Sequence, residues 1–280
     1  MKQSAASPKS KFLQLRPESD YDAVPISIVI PAHNEEEFLP ATLTALRNQT
    51  YRNFEVIVVA NGCKDRTVEV AQGLCDQIFD LEERGLGKAR NLGGLKARGE
   101  ILLFLDADTL LEPRSLEIIA QRFNRRYSMG TLLGQPDTRK FSYKLIYCVK
   151  NLIHWTKIHH GSSGVILCWK DFFLNAGGFD EELYLRENSD LLRKLRCFGE
   201  YCYIRQTPAV TSMRRYEKKG TREMVWLWLR VWWLSIFSDL RNTTYEVVDT
   251  KHNKDLRTRV IRPRKTSFVN RNTSVHGELV

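Results

Sequence analysis

Three apolar runs punctuate the first 110 residues, and each ends in a polar loop. Val24-Pro25-Ile26-Ser27-Ile28-Val29-Ile30-Pro31 closes on a proline and leads into Ala32-His33-Asn34-Glu35-Glu36-Glu37. Phe54 to Ala60 leads into Asn61-Gly62-Cys63-Lys64-Asp65, and Ile101 to Leu105 into Asp106-Ala107-Asp108. Unbroken β-rich runs of this length predict strands covered on both faces, as in a parallel sheet. Between the runs, apolar positions recur at helical spacing: Phe38/Leu39, Leu43 and Leu46, then Val70, Ala71 and Leu74, then Leu116, Ile119, Ala120 and Phe123. Glu35 to Glu37 are expected in the first turn of the first helix, where the dipole favours negative charge. Strand, polar loop and helix in repetition predict an α/β nucleotide-binding half-sheet.

The second half reads differently. Phe141, Leu145, Cys148, Leu152 and Trp155 predict a helix with that stripe buried, and Glu187-Asn188-Ser189-Asp190 opens an amphipathic helix through Leu191, Leu195 and Phe198. Met224 to Phe237 is apolar on nearly every side and holds four of the six tryptophans. Its fourteen residues fall short of the roughly twenty a membrane span needs. Tryptophan flanked by Arg and Lys suits a helix lying in a membrane interface; a helix docked on the body or at a dimer contact reads equally well. The expected organisation is a disordered segment 1–24, one domain over 25–215, an amphipathic Trp-rich extension over 216–248 and a basic, disordered tail over 249–280.

Composition narrows the class. Apolar residues make up 42% of 280, as in a globular protein. Six cysteines without Cys-x-x-Cys spacing, scattered through core-like segments, predict buried thiols in a reducing compartment. The first residues carry no hydrophobic stretch of a secretory signal, so the expected address is the cytoplasm. The net charge of +10 is concentrated late: residues 249–280 hold eight Lys/Arg against three Asp/Glu, and residues 205–230 seven against two. That distribution predicts peripheral contact with an anionic surface, such as the inner face of the cytoplasmic membrane, and not a nucleic-acid groove.

The candidate chemistry starts at Asp106 and Asp108. Two carboxylates at the C-terminal end of a buried strand suit Mg²⁺ or Mn²⁺, although an isolated Asp-x-Asp is more often a solvated turn or a helix cap. Gly85-Leu86-Gly87-Lys88-Ala89-Arg90-Asn91-Leu92-Gly93-Gly94 reads as a loop whose backbone approaches closely and whose Lys88 and Arg90 neutralise phosphate; its spacing is not that of a P-loop. His154, His159 and His160 read as metal ligands or, more readily, as ordinary surface or core imidazoles. A nucleotidyltransferase would carry a basic, Gly-rich signature after the first strand, where this chain is acidic.

Taken in order, IVIPAHNEEEFL, EVIVVANGCKD, GKARNLG, ILLFLDADTLL and GGFDEELYLRENSDLLRKLRCFG resemble the family-two inverting glycosyltransferases of GT-A fold over about residues 25–215. The resemblance implies a Rossmann-like mixed sheet with helices on both faces, to which the C-terminal amphipathic helix is added. It implies a metal-dependent transfer from a nucleotide-sugar donor to a glycan or lipid-linked acceptor. Pro31, Ala32, His33, Asn34 and Glu35 match the segment that meets base and ribose. Asn61 stands where the family usually reads the base edge with an aspartate. Lys88, Arg90 and Asn91 match the diphosphate loop. Asp106 and Asp108 match the metal motif, Asp108 as the direct ligand and Asp106 nearer the ribose. Gly161 to Leu167 matches an acceptor-side strand, and Gly177-Gly178-Phe179-Asp180 a characteristic turn. Arg214 and Arg215 match basic runs that clamp phosphate; a solvated helix start reads equally well. The family's catalytic base is usually the Asp of a Glu-Asp pair, and here that position is Asn188. Glu187, then Asp190, is the expected substitute, with helix capping as the other role of these acids. A catalytically impaired, donor-binding scaffold is the non-enzymatic alternative.

Overall fold

A computed structural model of the chain describes residues 24–156, 164–183, 187–221, 223, 226 and 259–261. Its centre is a nine-stranded mixed sheet in the order β5-β8-β6-β7-β4-β1-β2-β3-β9. Strands β1 (Ile26–Ala32), β2 (Phe54–Asn61), β3 (Gln77–Leu81) and β4 (Ile101–Leu105) are mutually parallel. β7 (Val165–Trp169) then runs antiparallel to β4, with Leu105 opposite Val165. β6 (Tyr127–Pro136) is antiparallel to β7 and parallel to β8 (Glu200–Thr211), which β5 (Thr109–Leu111) edges. At the far edge β9 (Arg259–Ile261) lies antiparallel on β3.

The three apolar runs are the adjacent strands β4, β1 and β2, and every residue of β1 and β4 is buried. Alternation along β1 sends Ile26, Ile28 and Ile30 to one face and Val29 to the other. The first face is covered by α1 (Leu39–Arg47), α2 (Thr67–Ala71) and α4 (Ser115–Arg122), through Leu39, Leu43, Ala71, Leu116 and Ile119. The second is covered by α3 (Leu86–Lys96), α6 (Lys170–Asn175) and α7 (Glu187–Leu195), through Ala89, Phe173, Leu191 and Leu192.

Several expectations change. The glycine-rich stretch is not a loop: from Leu86 it is the helix α3. Its glycines serve close approach, because a Cβ on Gly93 would stand 2.2 Å from Val29 Cγ1. The helix therefore lies against β1 more tightly than any side chain would allow. Glu35 to Glu37 precede α1 in a turn, so the helix starts at Leu39 with Pro40 in its first turn and no acid there.

The reversal at α5 (Phe141–Thr156) is the largest. Phe141, Leu145, Cys148, Leu152 and Trp155 face outward, whereas Tyr143, Tyr147 and His154 are the buried positions. Tyr143 and Tyr147 pack with Met213 and with Tyr216 of α8 (Arg214–Lys219), and His154 meets Tyr201 and Tyr203. Along that inner wall Tyr201 and His154 share a hydrogen bond and Lys150 donates to the Tyr216 hydroxyl, whereas the buried Tyr203 hydroxyl has no partner among the described residues. The strand before α8, β8, has twelve residues. Cys168 and Cys202 are buried and Cys63 and Cys75 half-buried, but Cys148 and Cys197 are exposed, against the expectation of uniformly buried thiols. His159, His160 and the Trp-rich stretch apart from Trp226 lie outside the described residues, as do the first 23 residues and the tail apart from β9.

Candidate active site

The loops that follow β1, β2 and β4 all open at the C-terminal edge of the parallel strands, where α/β sheets collect ligands. Short hydrogen bonds stitch the first two together. Asn34 is the one non-glycine residue with a left-handed backbone among those described, at φ 56°, and its Oδ1 accepts from Lys64 N at 2.8 Å. Glu35 N donates to Thr67 Oγ1 at 2.7 Å, and Glu36 N to Asp65 Oδ2 at 3.0 Å. His33 Nδ1 lies 2.7 Å from the Asn61 carbonyl, which can only accept, so Nδ1 carries the proton. Burial, with Arg84 adding to it, lowers the His33 pKa and favours the neutral ring.

Asn61 is buried and both ends of its amide are engaged: Nδ2 donates to the Ala32 carbonyl at 2.9 Å, and Oδ1 accepts from Gly85 N at 3.3 Å. Pro31 and Ala32 are buried in β1 and offer the site only backbone. Together these hydrogen bonds tie the loops after β1 and β2 to each other and to the start of α3.

The loop after β4 is held from three sides. Thr42 Oγ1 donates to the Ala107 carbonyl at 2.7 Å, Asp106 N to the Gly164 carbonyl at 2.9 Å and Ser212 N to the Asp108 carbonyl at 3.1 Å. Its two carboxylates point to different guanidinium groups. Arg90, 3% exposed on the sheet-facing side of α3, donates through Nη2 to Asp106 Oδ1 at 3.1 Å. Through Nη1 it reaches Asn188 Oδ1 at 2.6 Å and Glu187 Oε1 at 3.3 Å, and its guanidinium lies 5.2 Å from the Phe179 ring centroid. Arg90 thus joins the strand end to the first turn of α7.

Arg214 does the same on the other side. Its Nε donates to Asp108 Oδ2 at 3.1 Å, its Nη2 pairs with Glu35, and it stacks 4.2 Å from the Phe38 ring. Burial raises the pKa of both carboxyls, with Asp106 pushing Asp108 further, and Arg214 counters the rise at each. The guanidinium itself would lose affinity for its proton by burial, but Glu35 and Asp108 raise it above its usual range. Arg84 and Arg215 border the same mouth with no ion pair among the described residues; burial and then Arg215 lower the Arg84 pKa. Two such cations beside each other favour a multiply charged anion between them.

Other expected site residues are occupied in the fold. Asn91 donates to the Phe179 carbonyl and to Glu181 Oε1, both at 2.9 Å, and accepts from Phe179 N at 2.8 Å, pinning α3 to the turn at Gly177 and Gly178. Both of those glycines are left-handed, at φ 75° and 68°. Lys88 pairs with Glu83 at 3.4 Å. Asp190 is tied to Arg193 and Lys194, each at 2.8 Å; burial would raise its pKa, but those two cations hold it below the usual range. Glu187 instead faces the Arg90 cluster.

For a divalent cation, the donor chemistry fits: Asp106 and Asp108 supply hard oxygens, and Glu35 Oε2 beside them is buried without a hydrogen-bond partner among the described residues. Among those residues no cluster of three potential ligands stands ready, because Arg90 and Arg214 hold the two aspartates. A metal here would take its remaining ligands from a bound diphosphate and water. Sequence reading missed Arg84, Phe38 and Phe179. Phe38 was read only as a helix-face position and Phe179 only as part of a turn, while Arg84 stands directly before Gly85 as a basic residue.

The sequence model of a family described as glycosyl transferase family 2 matches residues 27–167. An uncharacterized glycosyltransferase of Haemophilus influenzae is 28% identical over 183 residues, 61% of this chain and 61% of that protein, so the chain covers about three fifths of that relative. Among solved structures, the mannosyltransferase PcManGT of Pyrobaculum calidifontis, in complex with GDP-Man and Mn²⁺, superposes with a TM-score of 0.56 at 18% identity, over 67% of this chain and 56% of that one. Staphylococcus aureus TarS 1–349 in complex with UDP-GlcNAc gives 0.52 at 18% identity, over 67% and 58%. The sheet order, the shared GT-A fold and the family match agree: this chain belongs to glycosyl transferase family 2.

Proposed function

We propose that the protein transfers a sugar from a nucleoside-diphosphate sugar to the hydroxyl of a glycan or lipid-linked acceptor, with inversion at the anomeric carbon and with a divalent cation, at the inner face of the cytoplasmic membrane. The observation that carries this reading is the convergence of Arg90 on Asp106, Glu187 and Asn188 at the end of β4. It brings a donor-side carboxylate and an acceptor-side carboxylate under one guanidinium. The UDP-GlcNAc and GDP-Man complexes of the structural neighbours support a nucleotide-sugar donor.

In this reading His33, Asn34 and Asn61 shape the floor under the nucleoside, and Arg84 and Arg215 attract the diphosphate. Asp106 and Asp108, relieved of their arginines, would hold the cation, which would offset charge on the departing diphosphate. Glu187 takes the proton from the acceptor hydroxyl as its oxygen bonds to the anomeric carbon, and the bond to the diphosphate breaks with its electron pair leaving on the phosphate oxygen. Asp190, neutralised by Arg193 and Lys194, is the weaker base. Lys88 and Asn91 support the α3 end of the site.

A second reading, a donor-binding scaffold without turnover, is favoured by Asn188 alone, since an amide accepts no proton at neutral pH. Thermal unfolding against UDP, GDP, CDP and TDP with and without Mn²⁺, followed by transfer assays with the matching sugars, tests both. A metal-dependent shift with one nucleotide and turnover lost in Glu187→Gln supports the enzyme. A shift with no turnover on any acceptor supports the scaffold, and no shift at all removes both.

A further inference from the structure

We propose that the outer face of α5 is a docking surface for an anionic lipid bilayer. Phe141 is 80% exposed, Trp155 58%, and Leu145 and Leu152 each 54%. Spaced at 141, 145, 152 and 155 with Cys148 between, they form one stripe along a helix of sixteen residues, and Val149 and Ile153 extend it to one side. A stripe of this kind is some 24 Å long at 1.5 Å per residue, and its burial is strongly favourable. The helix is not buried on this side by any described part of the chain, although its opposite face is fully used by Tyr143 and Tyr147.

Charge selects the occupant. From Thr138 to Thr156 the chain contains no Asp or Glu, while Arg139, Lys140 and Lys144 are exposed around the start of the stripe. Lys140 meets Glu217 of α8 at 3.2 Å, so two copies of this face would bring Arg139 and Lys144 together with no acid on α5 to meet them. An apolar stripe bordered by cations, with tryptophan near its end, is the pattern of a helix lying in the plane of anionic headgroups. No helix among the described residues is long and apolar enough to cross a membrane, so the contact is peripheral.

The inner side of α5 connects this surface to the site. Tyr143 packs on Tyr216 with ring centroids 5.9 Å apart, and Arg214, two residues earlier, holds Asp108. Docking through α5 would set the mouth of the site beside the bilayer, where a lipid-linked acceptor resides; this last step rests on the proposed transfer, whereas the docking itself does not.

The experiment is co-sedimentation of the full chain with phosphatidylcholine vesicles and with mixed phosphatidylcholine/phosphatidylglycerol vesicles, for wild type, Leu145→Glu/Leu152→Glu and Lys140→Glu/Lys144→Glu. Both pairs are exposed, and unchanged thermal unfolding shows that each variant folds. The wild type should bind the mixed vesicles and weaken as salt rises. The leucine variant should bind at least ~10-fold more weakly, a change of about 1.4 kcal/mol, and the lysine variant should lose its preference for phosphatidylglycerol. Wild-type binding by the leucine variant would overturn the proposal in favour of another segment. No wild-type binding, together with a dimer that the leucine variant dissociates, would overturn it in favour of self-association. Vesicle binding is read without donor or acceptor, so an enzyme that fails to transfer sugar leaves the proposal standing, and an active enzyme that ignores vesicles defeats it.

Discussion

Arg90 and Asn188 stand 98 positions apart in the chain and 2.6 Å apart in space. The amide oxygen there occupies a place where a carboxylate would pair with the same guanidinium, and Glu187 shares it at 3.3 Å. In the proposed transfer, exchange of the base between adjacent residues of α7 is therefore a small geometric step. Glu187→Gln, which keeps an acceptor for Arg90, should lower kcat by ~10²–10⁴ with nucleotide affinity retained. Adding Asn188→Asp to that variant should recover at least ~10-fold, and steady-state kinetics on the two proteins decides it. A double variant no faster than the single one would show that position 188 lies out of reach of the acceptor.

Asp190 gives the contrast. With both oxygens directed at Arg193 and Lys194, Asp190→Asn should change kcat less than ~10-fold, well under the Glu187→Gln loss. The same assay, run in parallel, ranks the two acids.

Arg214→Gln removes the counter-charge of two largely buried carboxylates. Uncompensated charges of this kind cost about 3 kcal/mol, so thermal unfolding should shift down by several degrees. Mn²⁺ without nucleotide should then stabilise the variant more than the wild type, because the cation no longer competes with a guanidinium. Equal Mn²⁺ shifts in both proteins would separate Asp108 from metal binding.

Gly93→Ala should cost ~1–3 kcal/mol by overpacking against Val29. Since α3 also carries Arg90, nucleotide affinity should fall in the same variant. A chemical denaturation curve and a nucleotide titration measure the two effects separately.

Lys150 supplies a pH dependence. Burial pushes its pKa down to about 8, beside Tyr147 and Tyr216. Between about pH 8 and its ordinary value of 10.5 the unfolded chain binds more protons than the folded one, so stability rises with pH through that window. Below it the cost of a buried ammonium is present in full. Lys150→Met should thus be more stable than wild type at pH 7 by ~1–2 kcal/mol, and the difference should vanish as pH approaches 10.5. Denaturant midpoints at pH 7 and pH 10 test the sign.

The parallel half of the fold was legible because β1, β2 and β4 are covered on both faces, and full burial writes itself as an unbroken apolar run. β3, β5 and β6 were not: Gln77 to Leu81 is half-buried, Thr109 to Leu111 is three residues long, and β6 carries Gly130 and Gly134. The faces of α5 were inverted in the reading because that helix is apolar nearly all round, so periodicity marks two candidate stripes and tertiary packing chooses between them. At the site, Asp106, Asp108 and Arg90 were candidates by type and position, and Glu187 through the family resemblance. The pairing of Asp108 and Glu35 through Arg214 did not, because 179 residues separate Glu35 from that arginine.

That separation bears on recombination between related enzymes. The matched family region ends at residue 167, yet the side chains that balance its carboxylates, Arg214, and that complete the Arg90 cluster, Glu187 and Asn188, all come later. A chimaera joined at that boundary would cut through β7, take β8 and β9 from the other parent and inherit a mismatched charge pattern. Productive crossovers would have to carry residues 27–219 as one block, so that each carboxylate keeps the guanidinium it pairs with.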